Sequence, residues 1–286
     1  MSKSKAIKIS KEIRYQNAAL NYYLGLTNSP YLHYGYWDPL PNSKEELTLT
    51  RLRAAQQAYC AKLLELIPRG TQTILDVGCG IGGNATALLD QGFAVEGLAP
   101  DPFQQERFLQ NTQGRAIFHL TQFETFKGTH RYDLILLSES SQYMAADDIA
   151  RCAMSLLEPG GYLLLADMLR SDASYHEGIF SNCHSVSGLL EALEKAGFSL
   201  IQAEDISNHI APTIDLCVEN FHTFGISTFS YLSDLVSIAV PPIHKLLSWA
   251  YRRWLHKLVS EGLNSREIFD QHLCYQIQLW QLTKAH

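Results

Sequence analysis

None of the six cysteines, Cys60, Cys79, Cys152, Cys183, Cys217 and Cys274, stands in a CxxC pair. That argues against a thiolate metal centre and against a disulfide-stapled secreted scaffold, so the expectation is reduced thiols, no metal and a cytoplasmic chain. Basic charge is also short: 23 Lys and Arg face 29 Asp and Glu, a formal −6 with His neutral. No global field draws such a chain to DNA or RNA, and nucleic-acid partners are disfavoured. Long apolar runs are missing too. No segment has the length to span a bilayer, and the basic start Met1-Ser-Lys-Ser-Lys carries no apolar core of signal length. Repeats and low-complexity tracts are lacking. What is present is 286 residues, 46% hydrophobic and 18% charged, enough for one large α/β domain with insertions.

The most informative stretch is Ile74-Leu-Asp-Val-Gly-Cys-Gly-Ile-Gly-Gly. Ile74, Leu75 and Val77 suit a buried parallel strand, and Gly78, Gly80 and Gly83 follow at GxGxxG spacing. Glycines there let a backbone approach a ligand closely. The spacing alone also serves dinucleotide proteins, which seat a pyrophosphate on the helix N-terminus. Asp76, two residues before Gly78, would repel a pyrophosphate and attract an ammonium such as that of a methionine moiety. A dinucleotide site wants an acid about 20 residues onward. Ala99 occupies that position, and Glu96 belongs to the strand itself. A nucleotide-dependent oxidoreductase and a purely structural glycine turn remain as alternatives.

From Thr73 to Asp167, strands expected near 73–77, 93–98, 116–120, 132–138 and 161–167 alternate with helices near 83–91, 102–111 and 146–157. This alternation predicts a parallel sheet with helices on both faces. Glu158-Pro-Gly-Gly is a helix-to-strand turn, a helix runs from Gly188 to Ala196, a strand starts at Phe198, and Leu273 to Leu282 supplies a last strand. Residues 1–68 form an N-terminal helical extension broken by the aromatic loop Pro30-Tyr-Leu-His-Tyr-Gly-Tyr-Trp-Asp-Pro, 69–205 the ligand-binding core, 206–268 an inserted helical lid, and 269–286 the closing strand. In the lid, Ile243, Leu246, Leu247, Ala250, Trp254 and Leu258 recur at helical spacing among Lys245, Arg252, Arg253, His256 and Lys257. Packing of this helix on the core is the preferred reading, and contact of 243–259 with an anionic membrane surface is the alternative.

With these motifs together, the chain resembles class I S-adenosylmethionine-dependent methyltransferases over about residues 73–205. It is most similar to the small-molecule group of γ-tocopherol and sterol C-methyltransferases, cyclopropane fatty acid synthases and natural-product O-methyltransferases. The resemblance implies a Rossmann-like, seven-stranded, mostly parallel α/β sheet and S-adenosyl-L-methionine as cofactor. Gly97-Leu-Ala-Pro-Asp-Pro-Phe-Gln resembles that group's Gly-Ile-Thr-Leu-Ser-Pro-x-Gln, which implies that Gln104 holds the ribose. His33-Tyr-Gly-Tyr-Trp resembles the segment covering the sulfonium, which implies that Tyr34, Tyr36 and Trp37 present aromatic faces to the cation. Leu137-Ser-Glu-Ser-Ser-Gln-Tyr-Met resembles Met-Glu-Ser-Gly-Glu-His-Met at the end of the fourth strand. Glu139 and Ser140 match and Ser138 joins the cofactor set, whereas Gln142-Tyr143 replaces Glu-His and makes Tyr143 a candidate catalytic group. At the family's adenine position stand Gln122, for the N6 amine, and Phe123, for stacking.

Methyl transfer is an in-line displacement that rests on positioning, with a base needed for hydroxyl or protonated amine acceptors. His33, beside the expected sulfonium cover, is the candidate base. The apolar lid points to a small, hydrophobic acceptor of specialised or lipid-like metabolism. O-, N- and C-methylation stay open, as does a protein that binds the cofactor as a partner subunit, cyclase or lyase without methyl transfer.

Overall fold

The computed structural model describes residues 21 and 23–283, with the side chains of Ile179, Ala250, Trp254, Leu255 and Leu258 outside that description. Most of the expected first helix, and three members of the apolar stripe Ile243 to Leu258, therefore lie outside the described residues. The chain forms α1 (Leu49–Glu65), β1 (Thr73–Val77), α2 (Gly83–Asp90), β2 (Ala94–Ala99), α3 (Pro102–Asn111), β3 (Ile117–Leu120), β4 (Tyr132–Ser138), α4 (Ala146–Leu156) and β5 (Leu157–Arg170). Then follow α5 (Val186–Lys195), β6 (Phe198–Asp205), α6 (Ser207–Asn220), α7 (Ser227–Ala239), α8 (Pro241–Ala250), α9 (His256–Leu263), α10 (Ser265–His272) and β7 (Leu273–Leu282).

The seven strands lie in the order β3-β2-β1-β4-β5-β7-β6, and β7 alone runs antiparallel to its neighbours β5 and β6. Period-two alternation assigns the two faces. Ile74, Leu134, Leu136 and Leu164 enter one core with residues of α1, α2, α6 and α10. Leu75, Ile135, Leu137, Leu163 and Leu165 enter the other with α4 and α5. Because both faces are covered, β1 and β4 read as nearly unbroken apolar runs. Capping fixes where helices begin: Thr48 accepts from Arg51 N–H, Asp101 accepts from Phe103 N–H with Pro102 at the first helical position, and Ser185 accepts from Gly188 N–H. β5 is longer than the expected 161–167 at both ends, because Leu157 pairs with Tyr132 of β4 and β7 pairs with it as far as Arg170.

The order reverses between β1 and β4, so the ends of β1, β2 and β4 open onto a crevice. Residues 206–268 do not close over it. They form α6 and α10, packed on the core, and a protruding arm, α7 and α8, that is packed on itself. Ile243, Leu246 and Leu247, expected to pack on the core, are exposed instead, because α8 lies against α7 and its flanking π-helical turn.

Candidate functional site

β1 ends in Asp76-Val77, and the loop that follows is tied to β2 by Gly78 N–H donating to Leu98 O at 2.8 Å. Gly78 has φ +71° and faces Ser140 so closely that a Cβ would collide with the serine Cβ. At Gly83 a Cβ would come 2.6 Å from Pro30 O, so the residues after helical 23–27 lie directly on the start of α2. Together these elements enclose a cavity of about 630 Å³. Of the residues expected from the sequence, Asp76, Gly78, Gly80, Ala99, Gln104, Gln122, Phe123, Ser138, His33 and Tyr143 line it. Phe123 does so while packing in the core with Leu98 and Tyr132.

Three expected aromatics, Tyr34, Tyr36 and Trp37, do not line the cavity. Trp37 is buried against Leu52, Ala55 and Leu216, and its indole N–H donates to Thr213 Oγ1 at 2.8 Å. An indole bound at that distance to α6 serves as a lock between the loop and the insertion, and the cation over its face is the Arg51 guanidinium, 5.6 Å from the ring centroid. Tyr34 sets its ring edge-on to Tyr275, with centroids 6.1 Å apart, and only its backbone faces the site, donating to Glu139 Oε1 at 2.8 Å. Tyr36 likewise stacks on His209 at 4.2 Å. The wall is made by the preceding residues, Pro30 to His33.

Asp76 is buried, and among the described residues its Oδ2 has no hydrogen-bond partner. Burial pushes its carboxyl up to about 7. A buried carboxylate oxygen without a donor, on the wall of a cavity, is the arrangement an incoming ammonium would satisfy. His33 is buried as well and is pushed down to about 4, which keeps it neutral. Its Nδ1–H donates to Tyr34 O at 2.7 Å, leaving a lone pair on Nε2, 3.1 Å from the Asn84 amide. That amide must turn its NH₂ toward the ring, and both imidazole nitrogens are then engaged.

Glu139 matches the family motif in the sequence without an assigned role. In the structure it has φ +54° and is the acid beneath the cavity. Burial pushes its carboxyl up to about 8, against hydrogen bonds from Tyr34 N–H and Tyr275 O–H, while the nearby Asp167 adds to the rise. Tyr275 OH lies 2.8 Å from Tyr59 OH, which lies 3.1 Å from Ser138 Oγ. Asp101 was missed altogether. It lines the cavity two residues after Ala99 while its Oδ1 caps α3. The signal for it was the Asp-Pro pair opening a helix; for Asn84 and Tyr59 no sequence signal existed, since each is brought in by helix packing.

A family model described as a methyltransferase domain matches residues 51–203, more than half of the chain. The chain belongs to that family. An O-methyltransferase of Pyrenophora dematioidea is 26% identical over 204 residues, 64% of this chain and 73% of the relative. The 27-O-demethylrifamycin SV methyltransferase of Amycolatopsis mediterranei is 28% identical over 210 residues, 66% of this chain and 74% of the relative. Among solved structures a [4+2]-cyclase superposes with a TM-score of 0.71 at 16% identity over 95% of both chains, a likeness of fold. The cofactor of this methyltransferase is S-adenosyl-L-methionine, and the residues present fit it: an unpartnered Asp76 oxygen, a glycine loop that admits no Cβ at Gly78, and Ala99 in place of a ribose acid.

Proposed function

We propose that this methyltransferase transfers a methyl group from S-adenosylmethionine to an oxygen of a small, largely apolar metabolite. The observation that carries the reading is the buried Asp76 oxygen, without a hydrogen-bond donor among the described residues, at the mouth of the glycine loop. When bound, the cofactor supplies an electrophilic methyl on a sulfonium whose departure needs no acid. Asp76 and the Gly78–Gly80 loop would hold its amino-acid end, Gln104 its ribose, and Gln122 with Phe123 its base. The apolar lining from Pro30, Tyr31, Leu32 and Met144 supports an apolar acceptor. The names of the fungal and actinobacterial relatives support an oxygen nucleophile.

Glu139 is the group best placed to take the acceptor's proton. Burial pushes its carboxyl up to about 8, it lines the cavity, and Tyr34 N–H and Tyr275 O–H hold the acid in place. His33 serves as wall rather than base, because burial holds its imidazole at about 4 and both ring nitrogens are engaged, by Tyr34 O and by the Asn84 amide. Tyr143, 61% exposed at the rim, contacts the acceptor side. Six cysteines without disulfides support a cytoplasmic setting.

The test is incubation with methyl-labelled S-adenosylmethionine and a panel of phenols, enols and hydroxylated polyketide-like compounds. Label in an ether product supports the proposal. Label only on carbon or nitrogen overturns the oxygen assignment, and tight S-adenosylhomocysteine binding with no label in any fraction moves the site to a non-transferring role.

A further inference from the structure

The arm breaks the usual partition of apolar residues. α7 and α8 meet at a Val240-Pro-Pro corner, and α7 has no buried residue along its 13 positions. Phe224 is 70% exposed, Ile238 79% and Leu246 63%, with Phe229, Tyr231, Leu232, Leu235, Ile243 and Leu247 exposed beside them. So many exposed apolar side chains on consecutive elements of a folded protein mark a contact with something apolar.

Charge indicates what that partner is. Between Asp234 and Glu261 no acidic residue occurs, while Lys245, Arg252, Arg253 and Lys257 do. Residues 221–260 therefore carry a formal +3 in a chain of net −6, which leaves −9 on the remainder. Lys245, Arg252, Arg253 and Lys257 are solvent-exposed, with Lys257 3.7 Å from Glu261 at the edge of the basic run. No helix among the described residues is long and apolar enough to cross a membrane. Short helices with exposed apolar side chains and a cationic flank suit the plane between headgroups and acyl chains. A polybasic flank adds attraction to anionic lipid, whereas the acidic body is repelled from the same surface.

We propose that the α7–α8 arm docks the protein on the surface of an anionic lipid bilayer, inserting its apolar side chains between headgroups while Lys245, Arg252 and Arg253 meet lipid phosphates. This docking is independent of methyl transfer, since no residue of 206–268 lines the cavity.

The test is co-sedimentation of the full chain with phosphatidylcholine vesicles, with and without about one-third phosphatidylglycerol. Binding to the anionic vesicles at least about tenfold above the neutral ones, weakened by high salt, is expected. The pair Arg252→Glu and Arg253→Glu should remove the anionic preference, and Ile238→Ser with Leu246→Ser should lower binding to both compositions. Equal partitioning into both vesicle types, or none into either, overturns the proposal. So does a dimer of the parent chain, seen by light scattering, that the Ile238→Ser, Leu246→Ser variant abolishes, because a second copy would then cover the arm. S-adenosylhomocysteine affinity, measured on the same variants, should stay at the parent value and confirms that they are folded.

Discussion

The cavity and the arm invert the ordinary rule in opposite senses. At the cavity, carboxyls are withdrawn from water: Asp76 and Glu139 line it, Asp167 is buried nearby, and all three are held above the usual carboxylate range, first of all by loss of water. On the arm, aliphatic and aromatic side chains face solvent. Each arrangement is unfavourable in the isolated chain, and each becomes favourable when the missing partner arrives, a cation in one case and an apolar medium in the other. The two differ in how the fold treats them. The acids sit at strand ends inside a seven-stranded sheet, so the whole core fixes them. The arm touches little besides itself, so its residues are free to vary without disturbing the sheet.

The sharpest way to break this comparison is at Asp76. Asp76→Asn should weaken S-adenosylhomocysteine binding by about a hundredfold or more, read by calorimetric titration, since it removes the charge that pairs with the ligand ammonium. Stability should move the other way. Asp76 has a folded pKa near 7, above its unfolded value, so the stability it contributes is present below the unfolded pKa and lost as pH rises through the folded one. At pH 8 the asparagine variant should therefore melt no lower than the parent. A clear drop in Tm would make Asp76 a structural anchor. Parent affinity should also fall about tenfold per unit below pH 7 as the free carboxyl takes up its proton.

Glu139→Gln comes next. It should lower kcat by about a hundredfold while S-adenosylhomocysteine affinity changes little. The parent's kcat/KM should rise with pH through about 7 and again through about 8, the two buried acids ionising in turn. The variant should keep the lower rise and lose the upper. An unchanged profile would transfer the base role elsewhere, with Tyr143 next to be tested.

These two acids also show where the sequence was legible. Strands and helices from Thr73 to Asp205 follow from uninterrupted apolar runs and turn residues, signals that are local, and the residues placed in the site from the glycine loop and the strand ends, Asp76 to Tyr143, do line the cavity. Tyr34, Tyr36 and Trp37 lie away from the cavity because a loop of alternating aromatics does not show which side each ring takes; Thr213, 176 residues away, decides that for Trp37. Glu139 was visible as a motif match, yet its environment comes from Tyr34 and Tyr275, distant in sequence. The arm misled for a related reason. A helical apolar stripe reports that one face seeks an apolar neighbour and is silent on whether that neighbour belongs to the same chain.

Trp37 supplies a prediction of intermediate size. Trp37→Phe keeps a large ring but removes one of the two donors to Thr213 Oγ1, which keeps the bond from Gly35 N–H. The loss should be about 1–2 kcal/mol in urea unfolding, with cofactor affinity affected only through any loosening of Pro30 to His33. A sulfonium-contacting role would instead show as a loss of affinity larger than the loss of stability.

The smallest expected effect is on the arm, and it discriminates because it is small. In an ordinary core, replacing Ile or Leu by Ser removes buried apolar area and leaves a hydroxyl among hydrocarbons, at several kcal/mol for each site. Ile238 and Leu246 already lie in water, so the folded and unfolded chains expose nearly the same surface there. Ile238→Ser and Leu246→Ser should therefore each change unfolding free energy by no more than about 0.5 kcal/mol, read from the midpoint of a urea transition in the absence of lipid. A loss of about 2 kcal/mol or more at either site would mean that the arm folds back onto the body in solution and hides these side chains. The comparison between a core-fixed cavity and a separate arm would then fail at the arm, while the assignment of Asp76 and Glu139 would stand, because neither acid lies near α7 or α8.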